Sequence, residues 1–215
     1  MNDYLIIKLK GPMQAWGEHS FEGLRPSGNI PTKSALLGLL GACLGIERND
    51  PDRSQELANS VGFAVRQDEV YPMEKITDYH SVQDARVEYT GSKSHATIQT
   101  WREYLLDAQY TVAVWNHHGA LVSLNTIETK IKYPEFTPYL GRRSCPLSRP
   151  LFETRLKAQN SRDALQHIEP QAGVIFSEEP GEARMIRVRD VPITNQPRQF
   201  ASRNLYIYGG DNVSE

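Results

Sequence analysis

The sequence YLIIKLK at residues 4–10 is the first element of the strand and helix order that predicts the fold. The centre of this stretch is apolar and β-branched, and the stretch ends at Gly11 and Pro12, so it predicts a buried first strand. A helix follows, because Thr32 can act as its N-cap and the apolar residues in 35–44 run almost all round it. The chain therefore opens with a strand and an apolar helix.

The remaining elements are predicted by similar signals. Pro51 after Asp50 indicates the start of a second short helix, and apolar residues at helical spacing predict another helix over residues 120–132. Further strands are predicted at 63–66, 110–115, 173–177, 185–189 and 205–208, and a short helix at 161–168.

Residues 70–115 show a β pattern interrupted by the turn-forming cluster TGSKS at 90–94. The two arms carry too many polar residues to be buried on both faces, so they predict a hairpin that projects from the body. The order of strands and helices indicates an α+β fold. It fits a ferredoxin-like (RRM-like) sheet with a projecting β-hairpin and a small β-rich extension at the C-terminus.

Residues 137–155, TPYLGRRSCPLSRPLFETR, fit neither a helix nor a strand. Three prolines make the segment a stiff connection, and nothing in it looks built for a core. Arg142 and Arg143 lie close to Tyr139, and arginines beside an aromatic ring suit an unpaired nucleic-acid strand. The alternative is a surface loop whose arginines pair with neighbouring carboxylates.

The charge of the chain is close to balanced, with 24 basic and 26 acidic residues among 215 and a net charge of −2. The chain therefore lacks the overall positive charge that would by itself indicate a nucleic-acid-binding protein. The charges are nevertheless sorted into blocks: residues 132–155 and 184–203 each contain five basic residues, whereas 163–182 contain five carboxylates and no Lys or Arg. Such sorting favours separate basic and acidic faces, with chance clustering on a solvated surface as the alternative.

Cysteine usage and hydropathy indicate the compartment. Cys43 and Cys145 are the only cysteines, which excludes a disulfide framework and favours a reducing environment. The apolar runs are too short for a signal peptide or a membrane span. We therefore expect a cytoplasmic protein that has no membrane association.

Two further motifs contain residues that could carry chemistry. Gly38, Gly41 and Gly45 recur on one side of the first helix, which predicts close packing against a sheet rather than a phosphate-binding loop. His117 and His118 are adjacent and have no carboxylate at ligand spacing, so they do not predict a metal site. No cofactor is expected.

Several stretches resemble the CasD family of Cascade subunits, within the RAMP superfamily. Cascade is the RNA-guided surveillance complex of type I-E CRISPR systems. The matching stretches are QAWG at 14–17, RPSGNIPTKSALLGLLGACLGI at 25–46, SHATIQTWREYL at 94–105, TPYLGRRSCPLSRPLF at 137–152 and RQFASR at 198–203. They are spread over essentially the whole chain.

The resemblance implies a single RAMP-type domain, with a palm at about 1–78 and 103–215 and a hairpin thumb at about 79–102. It also implies a non-catalytic RNA-binding subunit of a ribonucleoprotein complex in antiviral defence. Such a subunit would hold and cap the 5′ handle of the CRISPR RNA (crRNA). Its direct neighbours would be CasC and CasA, with CasB, CasE and target DNA reached through the complex.

Basic, aromatic and polar side chains from the matching stretches are the candidate RNA contacts. They are Gln14, Trp16, Arg25, Lys93, His95, Trp101, Arg102, Tyr139, Arg142, Arg143, Arg198 and Arg203.

Two other functions remain open at this point. Some relatives cut precursor RNA without metal, using a tyrosine with an adjacent Lys-His pair, and here Lys93 and His95 are separated by Ser94. A metal-independent endoribonuclease would use these two residues with Tyr79 or Tyr89. A purely protein-binding scaffold is the third possibility, and it leaves the arginine-rich segments unexplained.

Overall fold

A computed structural model describes residues 1–18, 20, 23–69, 73–83, 97–193 and 199–209. Its strands are β1 (Asn2–Lys10), β2 (Met13–Gln14), β3 (Trp16–Gly17), β4 (Leu24–Arg25), β5 (Ser27–Gly28), β6 (Val61–Asp68), β7 (Glu74–Val82), β8 (Ile98–Leu106), β9 (Gln109–Asn116), β10 (Phe152–Ala158), β11 (Gly173–Ser177), β12 (Arg184–Pro192) and β13 (Phe200–Tyr208). Its helices are α1 (Lys33–Leu44), α2 (Pro51–Ser60), α3 (Leu124–Lys132) and α4 (Ser161–Gln166). The predicted mixture of α and β elements is confirmed.

Within the described ranges, seven strands form one antiparallel sheet in the order β10-β1-β9-β6-β11-β13-β12. Four of these strands alternate with α1 and α3 along the chain, as strand, helix, strand, strand, helix, strand. They lie side by side as β10-β1-β9-β6, so the first strand is flanked by the third and fourth. β11, β13 and β12 extend this sheet beyond β6.

The two faces of the large sheet are covered by different helices. Successive residues of a strand point to opposite faces. Leu5, Ile7 and Leu9 of β1 therefore join the core that contains the apolar residues of α1 and α3. Tyr4 and Ile6 point the other way and pack with residues of α4. The alternation of one buried strand thus builds both cores.

α1 begins and ends as its sequence predicts. The Thr32 side chain accepts a hydrogen bond from the backbone N–H of Ala35 at 3.2 Å, and Gly45 ends the helix with a φ of 68°. The expected approach of a sheet to the helix glycines was wrong, because outside the backbone of α1 nothing lies within 4 Å of a Cβ placed at Gly38, and the nearest atoms at Gly41 and Gly45 belong to Ile46 and Glu135, which are in no strand. α1 has twelve residues, and among the described residues no helix is long and apolar enough to cross a membrane.

β10 was not predicted, because residues 137–155 fit neither a helix nor a strand in the sequence. This strand pairs with β1 along an edge of the large sheet. Phe152, Thr154, Leu156 and Ala158 alternate with charged residues, so a period of two was present in the sequence. The prolines that precede this alternation obscured it.

A smaller sheet stands beside the large one. Among the described residues it contains β2, β4, β7 and β8, with β8 in the middle. β7 pairs antiparallel with β8 from Glu74–Leu106 to Val82–Ile98, which are the arms of the predicted hairpin. The predicted turn at 90–94 lies outside the described residues.

Candidate nucleic-acid interface

The smaller sheet presents two chemically different faces. Residues paired across neighbouring strands share a face. Arg25 of β4 pairs with Arg102 of β8, which places two guanidinium groups on one face. Leu24 of β4 and Tyr79 of β7 both pair with Trp101 of β8, which places apolar and aromatic groups on the other face. The sequence predicted Arg25, Arg102 and Trp101 but not that strand pairing separates them.

The aromatic face carries an exposed pair of rings. The ring centroids of Tyr79 and Trp101 are 5.6 Å apart, with the planes tilted by 58°. The two residues are 52% and 44% exposed, and Leu24 beside them is 44% exposed. Exposed rings of this kind offer stacking surfaces for unpaired bases. Tyr79 and Leu24 were not predicted as RNA contacts, although the alternation along β7 indicated which side chains share a face.

Arg142 fixes the arginine segment to the smaller sheet. Its Nη1 donates to the backbone carbonyl of Glu103 and its Nη2 to that of Arg25, both at 2.9 Å. The guanidinium carbon lies 4.6 Å from the centre of the Tyr104 ring. Because both terminal nitrogens bind backbone carbonyls, Arg142 holds the edge of the sheet in place.

Arg143 differs from its neighbour in every one of these respects. It is exposed, and it forms no hydrogen bond or ion pair with any other residue that the structure describes. Tyr139, in the same turn, is 42% exposed. The outer side of the turn therefore presents a guanidinium and a ring, which is the combination expected for RNA.

The inner side of this turn is part of the core, which corrects the expectation that the segment contains no core residues. The backbone N–H of Leu140 donates to the carbonyl of Cys145, and the N–H of Cys145 donates to the carbonyl of Arg142, both at 2.8 Å. Leu140 and Cys145 are fully buried. Gly141 has a φ of 84°, and a Cβ there would lie 1.7 Å from the carbonyl oxygen of Ala15, so only glycine fits. The buried positions hold Tyr139 and Arg143 in one orientation.

Burial also affects the chemistry of the cysteine in this turn. Desolvation raises the pKa of the Cys145 thiol, and it raises the pKa of the Cys43 thiol to about 11. Both thiols are therefore protonated at neutral pH and are poor nucleophiles. Both are free and buried.

Comparison with known proteins establishes the family of the chain. A family model described as CRISPR-associated protein (Cas_Cas5) matches residues 4–206. The chain belongs to this family of CRISPR-associated proteins. The CRISPR system Cascade subunit CasD of Escherichia coli (strain K12) is 50% identical over 224 residues, which include all of both chains. The resemblance to the CasD family is thus confirmed.

Solved structures show the same relationship. A chain in a structure named CRISPR RNA-guided surveillance complex is 29% identical, with a TM-score of 0.71, and the match covers 95% of this chain and 89% of that one. A second structure, named Crystal structure of Cas protein, is 26% identical, with a TM-score of 0.66 and coverage of 95% and 93%. The described fold is therefore similar to that of chains in these CRISPR-associated structures.

Two of the predicted contact residues are in the core. Gln14 and Trp16 are fully buried. Gln14 donates from its side-chain nitrogen to the carbonyl of Ala108, and the Trp16 ring packs edge-on against Tyr110 with centroids 6.2 Å apart. Because neither side chain reaches the surface, we leave both out of the interface proposed below.

Arg203 belongs to a group of paired charges. Its Nε and Nη2 bind the two carboxylate oxygens of Asp190, each at 2.6 Å, and its Nη1 binds Glu178 at 2.9 Å. Lys33 completes the group, with its Nζ 2.8 Å from Glu178 and its backbone N–H donating to Asp190 at 2.7 Å. This ion cluster ties the first turn of α1 to the hairpin of β12 and β13. We leave Arg203 out of the proposed interface as well.

The remaining predicted residues lie elsewhere. Lys93, His95 and Arg198, together with Tyr89 of the alternative nuclease site, lie outside the described residues. Within the described parts of the chain, no group of three His, Cys, Asp or Glu side chains could hold a metal ion.

Proposed function

We propose that the chain is a non-catalytic RNA-binding subunit of a type I-E Cascade surveillance complex, where it holds and caps the 5′ handle of the crRNA. The observation that carries the proposal is the smaller sheet. One of its faces exposes the Tyr79 and Trp101 rings, and its other face carries Arg25 and Arg102. The full-length match to the CasD subunit of Escherichia coli supports the assignment to this kind of complex.

The two faces suit an unpaired RNA end. Bases that are not paired can stack on exposed rings, and guanidinium groups bind phosphates with two parallel hydrogen bonds. Arg143 and Tyr139 add an exposed guanidinium and an exposed ring within one turn. A short handle needs a few shaped contacts rather than a large positive field, which is consistent with a net charge of −2.

The architecture supports a division into palm and thumb. We assign β10-β1-β9-β6, with α1 and α3, as a ferredoxin-like palm, because their order along the chain and in the sheet is that of a split βαβ arrangement. β7 and β8 would form the base of a thumb at about 79–102, with the palm at about 1–78 and 103–215. β11, β12 and β13 would be the C-terminal extension.

CasC and CasA are the proposed direct neighbours in the complex, with CasB, CasE and target DNA reached through it. Tyr133 and Phe136 are candidate protein contacts, because they are large, exposed aromatic side chains that follow α3. Aromatic residues are enriched at protein interfaces. A cytoplasmic location is part of the same proposal, and the two free cysteines fit a reducing compartment.

Incubation of the purified chain with RNA in a chelating buffer tests the proposal. One RNA is the intact repeat, and the other is mature RNA that carries the 5′ handle; binding and cleavage are both scored. We expect retention without cutting, with preference for the handle. Metal-independent cutting of the repeat that is lost in His95→Ala would instead establish the endoribonuclease. Absence of salt-dependent RNA binding would leave a protein scaffold.

A further inference from the structure

The hairpin of β12 and β13 has two faces of unlike exposure. Ile186, Val188, Asp190, Arg203 and Leu205 lie on the inner face, which packs towards α1. Six residues paired across the strands form the outer face: Met185 with Tyr206, Arg187 with Asn204, and Arg189 with Ser202. All except the half-buried Tyr206 are exposed.

The outer face is basic and contains no carboxylate. It carries two guanidinium groups, one amide, one aliphatic hydroxyl and one phenol. The side chain of Arg187 forms no hydrogen bond or ion pair with other residues in the described ranges, whereas the Nε of Arg189 donates to the carbonyl of Phe200 at 2.7 Å. In a chain with net charge −2, such a face is a local positive patch.

We propose that this outer face binds the backbone of duplex DNA. Alternate residues of a strand are about 7 Å apart, so Arg187 and Arg189 can engage different phosphates of one backbone. Ser202 and Asn204 beside them are side chains of the kind that donate to phosphate oxygens. The patch therefore complements a regular array of phosphates.

A duplex fits this face better than a single strand does. Sites for unpaired bases combine positive charge with exposed stacking rings, and the smaller sheet offers such rings at Tyr79 and Trp101. The outer face of the hairpin has one aromatic residue, Tyr206, and it is half-buried. A basic face that lacks stacking surfaces complements the phosphate backbone of a nucleic acid whose bases are already paired.

The arginines also have a purely protective explanation, which makes a different prediction. β12 is an edge strand of the large sheet as described, and charged residues on an edge discourage pairing with other chains. Arg184 lies on the same strand and is equally exposed, but its pairing with Ile207 places it on the opposite face. Protection would involve all three arginines, whereas duplex binding would involve only Arg187 and Arg189.

Fluorescence anisotropy with a short labelled DNA duplex of scrambled sequence tests the proposal. The full chain is first saturated with handle RNA, so that the smaller sheet is occupied, and the salt concentration is then varied. Loss of two phosphate contacts in Arg187→Ala with Arg189→Ala should reduce the slope of log K against log salt by about 2. Duplex binding at low salt should weaken roughly tenfold, whereas handle binding stays the same.

The matched control is Arg48→Ala with Arg184→Ala, which removes the same charge from two exposed positions away from the outer face. It should retain duplex binding and its salt slope. Arg187→Ala alone leaves the hydrogen bond from Arg189 to Phe200 intact. It should reduce the salt slope by about half as much as the double variant does, and it shows that the effect does not come from a folding defect.

Four results would overturn the proposal. They are equal losses in the two double variants, no loss in either, stronger competition by single-stranded DNA or RNA than by duplex, and no salt-dependent duplex binding by the unaltered chain. Handle binding is measured in the same samples, so failure of this proposal is distinct from failure of the RNA interface.

Discussion

The two arginine-rich blocks, residues 132–155 and 184–203, are equal in basic residues but not in the surroundings of those residues. In the first block, Arg149 pairs with Glu153, Arg155 pairs with Asp3, and Arg142 binds backbone carbonyls, while Arg143 stays exposed. In the second block, the alternation of side chains along the strands places Arg203 in the ion cluster and points Arg187 and Arg189 outwards. The count of charges was the same, so a charge block by itself does not identify a binding surface.

The difference follows from the backbone. In the first block Arg142, Arg143 and Arg149 lie in irregular backbone and Arg155 lies on β10, so each arginine has its own environment, and three of them have partners within the chain. In the second block the period of two sorts side chains by face. The alternative interpretation of the first block, in which arginines pair with carboxylates, is therefore correct for Arg149 and Arg155. It does not apply to Arg143.

The largest effect is expected at Arg203. Its side chain is 12% exposed, and its removal leaves Asp190 and Glu178 partly unpaired at similar exposure. Because breaking a buried ion pair costs about 3 kcal/mol, Arg203→Ala should lower the free energy of unfolding by that order. Denaturant unfolding measures it.

Arg184→Ala on the paired strand is the matched control for Arg203. It removes the same charge from an exposed position and should change stability by less than about 0.5 kcal/mol. Equal stability of the two variants would show that the ion cluster adds nothing to the hairpin, and would return Arg203 to the list of candidate RNA contacts.

The adjacent pair in the first block gives the next largest effect. Arg142→Ala removes two charge-assisted hydrogen bonds and the contact with Tyr104, and should cost about 2 kcal/mol of unfolding free energy. Arg143→Ala should leave stability unchanged and weaken handle binding severalfold. Thermal unfolding and RNA binding are measured on each variant separately. A destabilised Arg143→Ala with normal RNA binding would reverse the roles that the structure gives these two residues.

The aromatic residues beside the two blocks sharpen the comparison further. Trp101→Ala removes an exposed ring from the smaller sheet, and should weaken handle binding by about 1–2 kcal/mol, the usual contribution of one base–aromatic stack. Tyr206→Ala, beside the second block, should leave handle binding unchanged. Both are tested by titration of handle RNA into variants whose folded state has been checked by thermal unfolding. Equal losses would mean that the RNA site extends across both sheets.

Much of the fold could be predicted from local signals. The cap at Thr32 and the proline after Asp50 gave α1 and α2, and the apolar run of β1 gave a core strand. β10 was obscured because prolines precede a short, half-buried alternation. The buried positions of Leu140 and Cys145 could not be read from the sequence, since they depend on Gly141 fitting against Ala15, far away along the chain.

The candidate site was only partly predictable for the same reason. Residue type indicated Trp101, Arg102 and Arg143, but burial is a tertiary property. Trp16 has the composition of a stacking residue, yet it packs on Tyr110 in the core. Tyr79 was considered only for catalysis, because its position beside Trp101 requires the register of β7 and β8. Strand register therefore carries the information that composition lacks.

The smallest effect is expected at the paired end of the first block. The pKa of the Asp3 carboxyl is below its ordinary value of 3.8, mainly because Arg155 donates hydrogen bonds to it. Since the folded chain holds this proton more weakly than the unfolded chain, the pair contributes stability fully above that ordinary value. The contribution is lost as pH falls through the lowered pKa of the folded state.

Arg155→Ala should therefore change stability little at neutral pH, because a partly exposed pair contributes under about 1 kcal/mol. As the pH falls below about 5, the unfolding free energy of the variant should decline less than that of the unaltered chain. Denaturant unfolding across that range, with Arg149→Ala as the control in the same block, measures the difference. If the unfolding free energy of Arg155→Ala declines with falling pH as it does in the unaltered chain, the contact between Asp3 and Arg155 does not stabilise the fold. In that case Arg155 would be as available to a ligand as Arg143, and the partnered arginines of the first block would be Arg142 and Arg149.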